Sequence, residues 1–218
     1  MVSANVQNVI DHYTRRHAFR QDLFGSQPYA NYGYWTRPGQ TIEEAAEALT
    51  DLVARTAGIG HGDRVLDVGC GYGAGAVSYT QRYQPAYVVG IDITDIRIES
   101  GREYVAEHHL SDVISLRLGD ATHMDFADAS FTRLIAVECA FHFETRRDFM
   151  HEAARVLAPG GRLALTDIIP RRGVDPRTYL QGERTANSNV CLDMPANAYD
   201  ADTYARYLAE AGFSEIRV

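Results

Sequence analysis

The sequence predicts an open, doubly wound α/β sheet, and three observations carry that prediction. From residue 64 onward, short apolar strands alternate with helix-like stretches, the pattern of parallel strands joined by crossover helices. The segments RVLDV, YVVGI and RLALTDI are apolar at successive positions, as strands buried on both faces must be. A glycine-rich turn, GCGYGAG, directly follows the first of them. Such sheets bind ligands in the crevice at the carboxyl ends of their strands, so the informative residues lie just after each strand.

Taken in chain order, Val6, Val9, Ile10, Tyr13 and His17 recur at helical spacing and predict a helix over 5–17. Residues 18–40 are rich in aromatics, Gly and Pro and read as an irregular arm, so 1–40 is an N-terminal arm or lid and 41–218 the main domain. Thr41 with Glu44 three residues on is a capping-box signature, and Ile42, Ala45, Leu49, Leu52 and Val53 then line one helical face up to Gly58 and Gly60. Strands follow at RVLDVG, YVVGID, VISLRLGD, FTRLIAVE and GRLALTDII, with helices between most of them at 73–83, 96–109 and 145–157. Residues 170–200 have no clear period and read as an insertion over the crevice, a candidate substrate lid ahead of a last helix at 201–211.

Composition bounds the function. A chain of 218 residues is one domain or one domain with a small appendage, and 45% hydrophobic with 23% charged residues is ordinary for a globular protein. No apolar run reaches the roughly 20 residues that span a bilayer, and no basic stretch with an apolar core opens the chain, so neither a membrane partner nor secretion is expected. The net charge of −8 argues against a nucleic-acid partner. Cys70, Cys139 and Cys191 are too dispersed for a disulfide framework or a zinc site, so no metal is expected and a cytoplasmic setting is the natural reading.

At the first strand end, Gly69, Gly71, Gly73 and Gly75 let the backbone approach a ligand, and the next helix offers free N–H groups to an anion. Gly69, Gly71 and Ala74 also satisfy the dinucleotide fingerprint, so this turn alone does not choose a cofactor. Asp92 ends the second strand at the spacing where an acid holds two ribose hydroxyls, which implies an adenosine but not which one. Asp120 ends the third strand, where a carboxylate can accept the adenine amine while the Ala121 N–H donates to the ring. That feature, with APGG before the fifth strand, lies outside the dinucleotide pattern.

With VLDVGCGYGAG, GIDIT, GDAT, DASFTRLIAVECAFHF and EAARVLAPGGRLALTDI in order, residues 41–170 resemble the class I S-adenosylmethionine-dependent methyltransferases and their Rossmann-like sheet. ANYGYW and ECAFHF resemble the small-molecule branch, which includes sterol, phosphoethanolamine and glycine/sarcosine methyltransferases and the natural-product sugar O-methyltransferases; the last are the nearest comparison. The resemblance implies S-adenosylmethionine as cofactor and a small-molecule acceptor. It puts Gly69, Cys70 and Gly71 against the methionine part of the donor, Asp67 at its amino group, Asp92 on the ribose and Ile93 against the adenine. It likewise puts Asp120 and Ala121 at the adenine edge, Glu138 beside the methionine moiety, and Tyr13 and Asn31 of the arm at its carboxylate.

Methyl transfer is an in-line displacement that requires alignment, exclusion of water and, for a hydroxyl, protonated amine or acidic carbon, loss of a proton. His142, after strand four, is the candidate base, with Asp167 in strand five to orient or charge-compensate it. Trp35, Tyr29, Tyr32 and Tyr34 form either a wall of the acceptor pocket or the arm's own packing. Three rival readings are an NAD-dependent oxidoreductase, disfavoured by Asp120 and by a sequence without lysine; a non-catalytic module that binds the donor, disfavoured by His142; and a nucleic-acid methyltransferase, disfavoured by the acidic balance and by the absence of an Asn-Pro-Pro-Tyr-type motif after strand four.

One departure from the family pattern stands out. AEAGFSEIRV reads as a last helix and the start of a sixth strand, with no seventh. Either the sequence is shortened relative to the natural protein, or a second chain completes the sheet, as in a homodimer by strand exchange.

Overall fold

A computed structural model describes residues 3–19, 27–170, 197 and 199–218. The chain opens with helix α1 (Ala4–His17), whose first turn is capped by Ser3 accepting from the Val6 N–H. Helix α2 (Ile42–Ala57) starts at the expected box: the Thr41 hydroxyl accepts from Glu44 N, and the Glu44 carboxylate accepts from Thr41 N. There follow β1 (Arg64–Val68), α3 (Ala74–Tyr83), β2 (Tyr87–Asp92), α4 (Asp95–Glu107), β3 (Ile114–Leu118) and β4 (Phe131–Val137). A single 3-10 turn at Ala140–His142 leads to α5 (Arg146–Val156), β5 (Leu157–Thr166) and finally α6 (Ala201–Glu210).

The strands form one sheet in the order β3-β2-β1-β4-β5, all pairs parallel. The chain winds outward from β1 to β3, then returns to lay β4 on the other side of β1. That reversal is the topological switch point, and it opens a crevice at the carboxyl ends of β1 and β4.

Burial on both faces follows from the pleat. Val65, Val88 and Ile135 face Val53 and Ala57 of α2, Val77 of α3, and Ile98 and Val105 of α4. Their neighbours Leu66, Val89 and Leu134 face Phe149, Ala153 and Val156 of α5. A strand buried on both faces has no polar face to give up, which is why its sequence is a continuous apolar run. Met150 of α5 joins Tyr204 and Leu208 of α6 in a smaller cluster.

Three expectations need correction. β5 begins at Leu157, so Ala158–Pro159–Gly160–Gly161 belongs to the strand rather than preceding it; a register shift against Phe131 and Arg133 of β4 absorbs the irregularity. β5 ends at Thr166, which leaves Asp167 just beyond the strand. Residues 211–218 form no strand; Phe213 and Ile216 pack instead against the α5–α6 cluster beside β5, the edge strand among the described residues. Most of the expected insertion at 170–200, with Cys191, lies outside the described residues. Among the described residues no helix is long and apolar enough to cross a membrane.

Candidate functional site

Two cavities meet at the switch point. The larger, about 700 Å³, is lined by Asp92, Ile93, Asp120, Ala121, Glu138 and His142, and is roofed by Val6, Val9 and Tyr13 of α1. The smaller, about 420 Å³, is lined by Asp67, Cys70, Gly71 and Ala74, with Tyr29 and Asn31 of the arm. Ala30, Gly69, Arg97 and Val137 border both. Each falls in the size range of small-molecule and cofactor sites.

The glycine turn shapes the floor. At Gly69 φ is +69°, and a Cβ there would sit 2.6 Å from Cys139 Cβ. At Gly71 φ is +56°, and a Cβ would lie 2.4 Å from Arg97 Nη2. Both positions combine a left-handed backbone with no room for a side chain, so only glycine fits. Gly69 N and Cys70 N both donate to Ile91 O, tying the turn to the end of β2.

Asp92 is buried, and its carboxylate is already occupied. It accepts from Gly71 N at 3.1 Å and Thr94 N at 2.9 Å, and Arg97 Nη1 lies 3.2 Å away. Asp120 accepts from the backbone N–H and hydroxyl of Thr122, each at 2.8 Å, which fixes the carboxylate at the mouth of β3 beside Ala121. Ile93 packs with Val9 and Tyr13 of α1. Glu138 has φ +49°, a strained conformation for a non-glycine residue. It accepts from Tyr32 N at 2.7 Å, and burial raises its pKa against that bond.

Asp67 lines the smaller cavity and is buried, hydrogen-bonded by the Tyr79 hydroxyl. Burial raises its pKa to about 7; the Tyr79 bond opposes the rise and the nearby Asp92 adds to it. Burial also holds the Cys70 thiol well above its ordinary range, so it is a neutral wall of the cavity. Asn31 borders the same cavity, but its amide is held by the protein: it donates to Ala46 O and Thr50 Oγ1 and accepts from Gly33 N.

His142 and Tyr13 come together. Tyr13 Oη and His142 Nε2 share a hydrogen bond of 2.7 Å that joins α1 to the end of β4, and His142 Nδ1 is buried without a partner among the described residues. Burial first, then His12, Arg97 and Arg146, lowers the His142 pKa to about 3, so the imidazole is neutral throughout the physiological range.

Asp167 is not part of this arrangement. Its carboxylate receives Arg146 Nε at 2.7 Å and Nη2 at 3.0 Å, with the Tyr204 hydroxyl at 3.0 Å. It borders the groove along β5, not the His142 cavity. The expected pairing with His142 is replaced by a buried bidentate ion pair that joins α5 to the end of β5. The aromatic wall is likewise divided: Tyr29 lines the smaller cavity, whereas Tyr32, Tyr34 and Trp35 are exposed.

The sequence reading missed Arg97, Tyr79 and Arg146. For Arg97 a signal was present. It shares a buried stripe of α4 with Ile98, Gly101 and Val105, where a solvated cation has no place. Among the described residues no group of three or more His, Cys, Asp or Glu could hold a metal ion.

Residues 66–165 match a family model described as a methyltransferase domain. The erythromycin 3''-O-methyltransferase of Saccharopolyspora erythraea is 36% identical over 194 residues, 87% of this chain and 63% of that protein. The O-methyltransferase cnsE of Penicillium expansum is 32% identical over 211 residues, 90% of this chain and 68% of that protein. The solved structure of the [4+2]-cyclase SpnF superposes with a TM-score of 0.80 at 25% identity, over 97% of this chain and 73% of that one. The chain thus spans less than two thirds of the erythromycin enzyme's length.

Proposed function

We propose, from the premise that this chain belongs to the S-adenosylmethionine-dependent methyltransferases, that it transfers a methyl group from S-adenosylmethionine to a hydroxyl of a small natural-product metabolite. The observation that carries the reading is the pair of joined cavities, with a carboxylate at or near the carboxyl end of each of β1, β2 and β3 and a glycine turn between them. An adenosine fits the larger cavity, where Asp92 can take the ribose hydroxyls and Asp120 and Ala121 the adenine edge. An amino acid fits the smaller one, where Asp67 can hold the ammonium.

The donor supplies a methyl made electrophilic by its sulfonium. The chain's own residues must position the acceptor, exclude water and take its proton. Val6, Val9 and Tyr13 of α1 close the larger cavity from above, which keeps water from the reacting atoms. His142 is unprotonated at neutral pH and, with Tyr13 beside it, is the proton acceptor. Asp167 serves the fold by fixing Arg146, not the chemistry.

Calorimetric titration tests the donor. S-adenosylmethionine and S-adenosylhomocysteine should bind and NAD should not, and Asp92→Ala should weaken the first two. With an accepted substrate, His142→Ala should lower turnover by about 10²–10⁴-fold, the usual contribution of a general base. Near-normal turnover in that variant would remove the base assignment. A second reading has one observation in its favour: a close fold neighbour is a cyclase, and a fold does not fix a reaction. Donor binding without methyl transfer to any hydroxylated acceptor would favour it.

A further inference from the structure

Among the described residues that line the two cavities, Arg97 is the only cationic side chain. It stands where they meet. Its Nη1 faces Asp92, and its guanidinium carbon lies 4.5 Å from the Tyr13 ring centroid and 5.2 Å from that of Tyr72. Its Nη2 end approaches so near Gly71 that a Cβ there would collide with it. Its Nε is buried and has no hydrogen-bond partner among the described residues.

Two features of this arrangement conflict with Asp92 and Arg97 being a purely structural pair. A buried guanidinium offers five donors in a fixed fork, and leaving one unmatched is costly. The carboxylate it faces is also the group placed to take a ribose diol. We propose that Arg97 is the residue that reads the donor's carboxylate, and that in the donor-free protein it rests on Asp92 as a stand-in anion at the junction of the two cavities. This rests on the donor reading above. On binding, the ribose hydroxyls take up Asp92 and the methionine carboxylate takes up the guanidinium. Tyr13 and Tyr72 hold the planar cation in place during the exchange, as aromatic faces do for Arg. Asn31, whose amide is satisfied within the protein, is then not needed for that carboxylate. Tyr13 acts indirectly, through the cation on its ring.

The test compares ligands that differ only in the amino-acid end. S-adenosylhomocysteine carries the carboxylate, decarboxylated S-adenosylhomocysteine lacks it, and 5'-methylthioadenosine lacks the whole amino-acid end. In wild type, loss of the carboxylate should weaken binding by roughly ten- to a hundredfold, the range of a charge-assisted contact. In Arg97→Gln, S-adenosylhomocysteine should weaken by the same order, whereas 5'-methylthioadenosine should bind as well or better because Asp92 has lost its competitor. Equal weakening of both ligands, or no change in either, would overturn the proposal. If Arg97→Gln fails to fold, the wild-type comparison decides: equal affinity with and without the carboxylate overturns it. Failure of wild type to bind S-adenosylhomocysteine at all would instead remove the donor reading on which it stands.

Discussion

At Asp67, burial and function pull in opposite directions. Burial raises its pKa to about 7, so in the donor-free protein it is half protonated near neutrality. To hold an ammonium it must be charged. Below pH 7 the protonated fraction grows and the charge partner is lost, so donor affinity should fall as pH falls and level off above roughly pH 8. His142 behaves differently, because its depressed pKa of about 3 keeps it unprotonated across that range. A pH profile of kcat/KM for the donor should therefore rise through pH 7, while kcat should show no limb near 6.5, where an unperturbed imidazole titrates. A kcat limb at 6.5 would mean that His142 is more solvated during turnover than in the donor-free structure. Asp67→Asn should abolish the rise in kcat/KM. The residues proposed for this chemistry were legible in part. Asp92 and Asp120 announce themselves because each comes at the carboxyl end of a strand, and such an end has one address in this topology; Asp67, inside β1, was reached only through the family resemblance. Asp167 misled for the same reason: it follows a strand too, but its partner, Arg146, comes from a helix whose orientation no local pattern encodes.

Among the elements, the helix starts were the clearest signals, since a cap is local chemistry. The Thr41–Glu44 box is satisfied in both directions. Thr41→Ala should cost about 1 kcal/mol, a fall in melting temperature of roughly 2–4 °C for a chain of this size. Thr41 lies outside both cavities, so S-adenosylhomocysteine affinity should not follow; a melting temperature unchanged within a degree would show that the box contributes nothing net. The strands were legible where burial on both faces makes a continuous apolar run, as in β1 and β2. β5 was read short because two glycines and a proline mimic a turn, and only pairing with β4 shows that they lie in a strand. Arg97 was passed over because an Arg in the first turn of a helix ordinarily faces water.

Across the whole molecule, the order β3-β2-β1-β4-β5 decides where everything else acts. It leaves one gap at the switch point, and the chain brings its first helix back over that gap. α1 is tied down along its full length: Ser3 bonds to Glu144, Tyr13 to His142 at 2.7 Å, and His17 to Tyr72 at 3.1 Å. None of these ties was readable in advance, because each joins residues far apart in sequence. A roof fastened as a rigid rod, rather than as a loose loop, opens all at once or not at all. Spent cofactor beneath it then waits for that opening, an event of microseconds to milliseconds or slower. The expected consequence is a clock: rapid-quench mixing with donor and acceptor should give a burst of about one methylated product per site, followed by a slower steady rate. Tyr13→Phe, which cuts the central tie, should shorten the residence time of S-adenosylhomocysteine and shrink the burst. A progress curve linear from the first turnover in wild type would mean that the roof does not keep time for the reaction.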